Sequence, residues 1–213
     1  MNLEYKFTMN LPGRPPIQAR AFTLDEYREL IEARVAGDNK QIRDITTRLV
    51  ADCTSARMVN RQECEWIIVN LWAHSLGEVN HTHIWNCTCG KETLIDMNFS
   101  HAQIIDESNE LWYGKSNFKL KLRYPKIFED SDYGAMIASC IEYIVANDEQ
   151  IDIEDLNDVE LNDLFSSISI QDMQNIIEIL MAPKLVLAVP VTCECGIHAV
   201  HTITGIKEFL ELL

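Results

Sequence analysis

The chain has 213 residues, of which 47% are hydrophobic and 24% are charged, and this composition is typical of a folded globular protein rather than a disordered one. The net charge of −15 is concentrated, because residues 127–183 contain 14 Asp and Glu but neither Lys nor Arg. Nucleic-acid binding requires basic residues that displace counterions from phosphates, so this charge distribution argues against DNA or RNA as a partner.

The seven cysteines are an odd number for a disulfide-linked scaffold. Cys53, Cys64 and Cys140 lie in apolar helical patterns, which predicts that they are buried thiols in a reducing compartment such as the cytosol.

No apolar run approaches about 18 residues, so we expect no transmembrane helix. The first residues lack a basic region followed by an apolar one, so we expect no signal peptide.

The first 79 residues predict a β-hairpin followed by three helices. Polar and apolar residues alternate over 3–9 and 17–21, on either side of a turn rich in Pro. Thr23 and Glu26 have the spacing of a capping box, and the helix that they start is expected to bury Leu24, Tyr27, Ile31 and Val35. A second helix is predicted over 40–53. A third, over 61–76 and closed by Gly77, is apolar almost all round, so it is either buried or part of an interface.

The rest of the chain alternates between cysteine motifs and helices. Residues 80–126 are predicted to hold the first cysteine motif and its strands, with a further strand over 117–124. The acidic segment 127–183 is predicted to be helical, with helices over 131–146, 158–165 and 169–181 and a loop over 147–157. Residues 184–213 contain the second cysteine motif and a last helix. We expect a single α+β domain over 1–213, with its helices in two groups.

Two copies of a Cys-x-Cys-Gly motif are the most distinctive chemical feature. They are Cys87-Thr-Cys89-Gly90 and Cys193-Glu-Cys195-Gly196, and each lies between two strand-like runs. A strand, a tip of this kind and a return strand form a metal knuckle, in which the glycine permits positive φ. Two knuckles supply four thiolates, which is the ligand set of a closed structural Zn²⁺ site. We therefore expect Cys87, Cys89, Cys193 and Cys195 to bind Zn²⁺, with the two hairpins forming one zinc-ribbon-like sheet.

The histidines offer an alternative. His81 and His83 are two residues apart on a strand-like run, so both imidazoles point to the same side and could bind a catalytic metal, with His198 or His201 as further ligands. The chain contains no phosphate-binding loop, nucleophile elbow or His-Glu-x-x-His motif. A four-thiolate site has no open position for water, so we predict a protein that is not an enzyme.

The order of short motifs resembles the base-plate hub assembly protein family of T-even-type contractile-tailed phages. The matching stretches cover the chain from about residue 19 to its end: 20–23 with Glu26, 70–78, the first cysteine motif, 122–125, 181–185, the second cysteine motif, and Gly205 with Phe209. Zinc ribbons in general favour Cys-x-x-Cys, and both motifs here are one residue shorter.

The resemblance implies a non-enzymatic hub subunit or chaperone-like assembly factor in the cytoplasm of an infected bacterium. Its implied partners are base-plate hub proteins and the tail tape-measure protein, without a membrane during assembly. The resemblance does not decide whether the protein remains in the tail of the finished virion. The acidic segment 127–183 is either a solvated surface or a docking face for a basic partner. The alternatives are a zinc metalloenzyme that uses His81 and His83, or a zinc-ribbon nucleic-acid-binding protein.

Overall fold

The computed structural model describes residues 5–76, 80–105, 110–115, 117–147 and 149–212, which form a mixed α+β fold with seven α-helices and four small sheets. In chain order the elements are β1 (Lys6–Met9), β2 (Ile17–Arg20), α1 (Leu24–Ala36), α2 (Asn39–Cys53), α3 (Arg61–Leu76), β3 (Asn80–Asn86), β4 (Glu92–Asn98), β5 (Gln103–Ile105), β6 (Trp112–Gly114), β7 (Lys119–Leu122), α4 (Tyr133–Cys140), β8 (Ile141–Ala146), β9 (Glu149–Asp152), α5 (Asp158–Ser167), α6 (Ile170–Met181), β10 (Lys184–Thr192), β11 (His198–Thr204) and α7 (Gly205–Glu211).

The chain divides into two compact units. The discontinuous unit comprises Met1–Ile105 and Lys184–Leu213, and the inserted unit comprises Asp106–Pro183. β5 and β10 pair antiparallel in the discontinuous unit, with Ile105 opposite Lys184, so the inserted unit leaves and re-enters at neighbouring strand ends. That residues 1–213 fold as a single domain stays a prediction.

The N-terminal hairpin forms as its alternation predicts, with β1 antiparallel to β2 from Lys6 opposite Arg20 to Met9 opposite Ile17. Residues 3 and 4 of the predicted first strand lie outside the described residues. The predicted buried face of α1 is partly wrong. Leu24 and Val35 are 82% and 80% exposed, whereas Leu30 and Ala33 are buried. The reason is that α1 packs against α2 along a narrow stripe that includes a small alanine, which gives little periodic signal.

Helix α3 is the centre of the discontinuous unit, as its nearly uniform apolar sequence predicts. It packs against α2, β2, β5, β10 and α7. The Trp66 indole N–H donates to the Ala102 carbonyl at 3.1 Å, and Phe99 lies between Trp72 and Phe209 with ring centroids 5.0 and 5.7 Å away. Gly77, the predicted end of this helix, lies outside the described residues.

The inserted unit contains one antiparallel sheet in the order β6-β7-β8-β9. Leu120, Leu122 and Ile144 pack into a buried cluster with residues of α4 and α6, among them Met136, Cys140, Ile176 and Leu180. The acidic segment 127–183 is therefore not purely helical.

Two predictions for this unit are wrong. The predicted helix over 131–146 ends at Cys140, and residues 141–146 form strand β8. The predicted loop over 147–157 contains strand β9 and a short 3-10 turn. The physical reason is that β7 and β9 pair with the two edges of β8, and these non-local hydrogen bonds override a short apolar pattern that suits a helix equally well.

The two cysteine hairpins do not form the predicted single sheet. Among the described residues, β3 pairs with β4 in a two-stranded sheet, while β11, β10 and β5 form a separate three-stranded sheet. No helix in the described part of the chain is long and apolar enough to cross a membrane.

A bidentate ion pair joins the N-terminal hairpin to the start of α1. Arg20 Nη2 and Nη1 donate to the two carboxylate oxygens of Glu26 at 2.7 and 2.9 Å, and Glu26 also accepts from the Thr23 N–H at 2.7 Å. The Arg20 hydrogen bond is the main reason that the pKa of Glu26 is lowered from 4.5 to about 2. Because the folded-state pKa is depressed, this stabilisation is present above about pH 4.5 and is lost as the pH falls through 2.

We predict that Glu26→Gln lowers the free energy of unfolding by about 1–3 kcal/mol at pH 7, and that its difference from wild type shrinks as the pH falls below 4.5. Urea unfolding between pH 2 and 7 measures it. Glu32→Gln is the matched control, because the pair that Glu32 forms with Arg28 is exposed. A difference between Glu26→Gln and wild type that does not change with pH would contradict the assignment.

Candidate metal centre

The two cysteine tips share one backbone conformation. The Cys87 N–H donates to the Lys91 carbonyl and the Gly90 N–H to the Cys87 carbonyl, both at 2.9 Å. The second tip repeats this pattern, with Cys193 and Ile197 in the same roles and equal distances. Gly90 and Gly196 have φ of 85° and 88°, a region that favours glycine. The sequence repeat is therefore also a structural repeat.

The tips meet so that all four sulphurs come together. Cys87 Sγ lies 3.8 Å from Cys195 Sγ, and Cys89 Sγ lies 3.7 Å from Cys193 Sγ. All four sulphur atoms lie within 4.8 Å of one another. Cys87 and Cys193 are buried, whereas Cys89 and Cys195 are exposed, so the cluster opens towards the surface on one side.

These distances suit a tetrahedral ion. Four thiolates at about 2.3 Å from a zinc ion lie about 3.8 Å from one another, and two of the sulphur separations are 3.8 and 3.7 Å. All four cysteines are free thiols. The cluster therefore has the ligand type, number and spacing to hold a metal ion, as the sequence predicts for its residues.

The thiols differ in acidity. The backbone N–H of Cys195 is the main reason that the pKa of Cys193 is lowered to about 7. The Ile197 N–H also favours the Cys195 thiolate, but hydrogen bonds with the neighbouring thiols, chiefly Cys193, outweigh it and raise the pKa of Cys195 to about 12. The shared hydrogen bonds thus favour one thiolate at the expense of its neighbour, and a metal cation, if bound there, would stabilise all four thiolates.

A salt bridge that the sequence analysis missed lies between the tips. Lys91 Nζ is 3.0 Å from Glu194 Oε2, and both side chains are exposed. The signal was present, since residues of opposite charge occupy the two tips. Exposed pairs of this kind contribute little to stability, so the pair is not what holds the two tips together.

The histidines do not join the cluster. The His81 ring stacks on Phe99 at 5.9 Å, His83 stacks on His201 at 5.0 Å, and His198 Nδ1 hydrogen-bonds the Thr192 hydroxyl at 3.0 Å. Burial is the main cause of the lowered pKa of His201. In the described ranges, the four cysteines are the only group of three or more candidate ligands that converge. Of the predicted histidine ligands, His83 and His201 come together, but His81 lies against Phe99 and no third ligand joins the pair in those ranges.

Whole-chain comparison gives the family. The model of the T4 bacteriophage base plate protein family matches residues 2–211, and the chain belongs to that family. It is also 50% identical over 211 residues to the baseplate hub assembly protein gp26 of Enterobacteria phage T4, an alignment that covers 99% of each chain. No solved structure matches the chain. The resemblance inferred from the short motifs is confirmed.

Proposed function

We propose that this protein is a base-plate hub subunit or assembly factor that binds other proteins while the phage tail is built. One observation carries the proposal: the 50% identity to a baseplate hub assembly protein extends over 99% of both chains. The action takes place in the cytoplasm of the infected bacterium, and the protein then stays in the tail base plate.

A non-enzymatic role agrees with the chemistry of the described residues. The cysteine cluster is a closed ligand set, and the histidines are engaged in ring stacking or a hydrogen bond. A cavity of about 300 Å³ lies against α2, and it is lined mainly by charged side chains without any histidine or cysteine. Nothing in these features resembles a nucleophile with a neighbouring base.

The proposed partners are base-plate hub proteins and the tail tape-measure protein, and the acidic segment 127–183 is the proposed docking face for a basic partner. Its 14 carboxylates are not balanced by any Lys or Arg in the same segment. Such a field steers a cationic partner and repels nucleic acid.

Co-expression with each hub protein and the tape-measure protein tests this role. We expect at least one to co-purify with the chain, and its retention to fall as salt rises. Asp155→Asn combined with Asp163→Asn, two exposed positions of the acidic segment, is expected to weaken retention. Asp25→Asn combined with Glu32→Gln removes the same charge from α1 and is the control. Failure of every candidate to co-purify with folded chain contradicts the proposal.

We also propose that the cysteine cluster holds a structural Zn²⁺. Zinc prefers four thiolates in a tetrahedron, and the measured sulphur separations suit that geometry. The ion would join residues 87–89 to residues 193–195, which belong to the two segments of the discontinuous unit. Its role is to close that unit, because a tetrathiolate ion has no free coordination position.

We predict about one zinc ion per chain in protein purified without chelator. Cys195→Ser is expected to lower the zinc content and to lower Tm by more than about 5 °C, because one of the four ligands is lost. Cys195 is exposed, so the substitution removes little packing, and a fall in Tm reports the loss of the ion. Cys53→Ala, which removes a thiol outside the cluster, should keep the zinc. Elemental analysis and thermal unfolding measure both effects. Wild type with less than about half an equivalent of zinc, or a variant as heat-stable as wild type, contradicts the proposal.

A further inference from the structure

The negative charge of the protein is concentrated in the inserted unit. This unit has 17 acidic and 5 basic residues, a net charge of −12, whereas the discontinuous unit has 16 acidic and 13 basic residues. Three of the five basic groups already have local partners: Lys115 binds Asp172, Arg123 binds Glu129, and Lys121 lies over the Trp112 ring. The inserted unit therefore presents a field that attracts cationic chains.

Among the residues that the structure describes in this unit, strand β9 is an edge of the sheet. It pairs with β8 on one side, with Gln150 opposite Val145 and Asp152 opposite Tyr143. Two residues connect the strands, so the flanking pair, Ala146 and Glu149, occupies a hydrogen-bonded position of the ladder. Antiparallel pairs alternate, so the backbone N–H and C=O groups of Gln150 and Asp152 point away from β8. They form a short template for another strand.

The acidic side chains on this edge favour a basic partner strand. Glu149, Gln150 and Asp152 are exposed, and the exposed Glu154 and Asp155 follow directly. Natural edge strands are commonly guarded by charged side chains, Pro or a bulge, and the charges of β9, on Glu149 and Asp152, are both negative. They oppose pairing with an acidic strand but not with a basic one. A second copy of β9 would place carboxylates against carboxylates, which is unfavourable, whereas a strand with Lys or Arg would meet opposite charge.

We propose that the β9 edge binds an extended basic segment of a partner protein, which adds as a fifth strand of the sheet. Main-chain hydrogen bonds to Gln150 and Asp152 hold the segment, and Lys or Arg side chains that share a face with Asp152 meet its carboxylate. This inference deepens the proposed function, because it gives the chemistry by which a hub or tape-measure partner is held.

A peptide titration of the full-length protein tests the edge. The probe is an extended peptide of about ten residues with alternating Lys and Thr, compared with the same peptide in which Glu replaces Lys. We expect binding of the Lys peptide only, with backbone amide shifts at Gln150 and Asp152 in NMR spectra. Absence of binding, or binding whose shifts lie elsewhere, overturns the inference.

A matched pair of variants separates strand addition from general charge attraction. Gln150→Pro removes an outward N–H and is expected to lower the affinity for the Lys peptide at least about fivefold. Gln150→Ala keeps this N–H and is expected to keep the affinity. Circular dichroism and the amide spectrum check that β8 and β9 still pair. Glu154→Gln combined with Asp155→Asn is a second variant that leaves the ladder intact and is expected to weaken binding. Equal affinity in Gln150→Pro and Gln150→Ala, with the fold retained, overturns the inference.

The same variants distinguish the edge from the proposed function. If wild type and Gln150→Pro co-purify equally with a hub or tape-measure protein, the edge inference fails and the proposed function stands. If wild type binds the Lys peptide through β9 but no such protein co-purifies, the proposed function fails and the edge is supported. Loss of the complex in Gln150→Pro alone supports both.

Discussion

The meeting of two thiol pairs that are 108 and 104 residues apart in sequence is the constraint on which the discontinuous unit depends. Bringing together the ends of a loop of about 100 residues costs about 4–5 kcal/mol of chain entropy. The identical tips present two sulphurs each, but neither tip can surround an ion alone. The proposed shared ion would offset that cost where the second segment of the chain meets the first.

The insertion of residues 106–183 divides the discontinuous unit into two segments. The second segment of the discontinuous unit supplies β10, β11 and α7, and it packs on the buried helix α3 and pairs with β5. The inserted unit has its own sheet and its own core, so it needs little from the cluster. The discontinuous unit thus contains the cysteine cluster, whereas the inserted unit carries −12 of the net charge of −15. This division suits the proposed role, in which the charged unit binds partners.

The sequence predicts correctly those features that depend on residues close together in the chain. The cysteine repeat, the capping box at Thr23 and the buried α3 each have a signal within a few residues. It failed where distant pairing decides: Ile141, Ile144 and Val145 have the spacing of a helical face, yet β7 and β9 draw them into a strand. Two separate sheets behind the cysteine tips, and the exposed apolar residues of α1, likewise depend on packing partners that periodicity does not reveal.

X-ray absorption at the zinc edge of the purified, full-length protein tests the central claim most directly, because it reports the ligand atoms and their distances. The account predicts a single shell of four sulphurs at about 2.3 Å. A shell that contains nitrogen or oxygen ligands, or protein without zinc above background, would contradict it. Either result would mean that hairpin pairing and the apolar core, rather than a tetrathiolate ion, close the discontinuous unit.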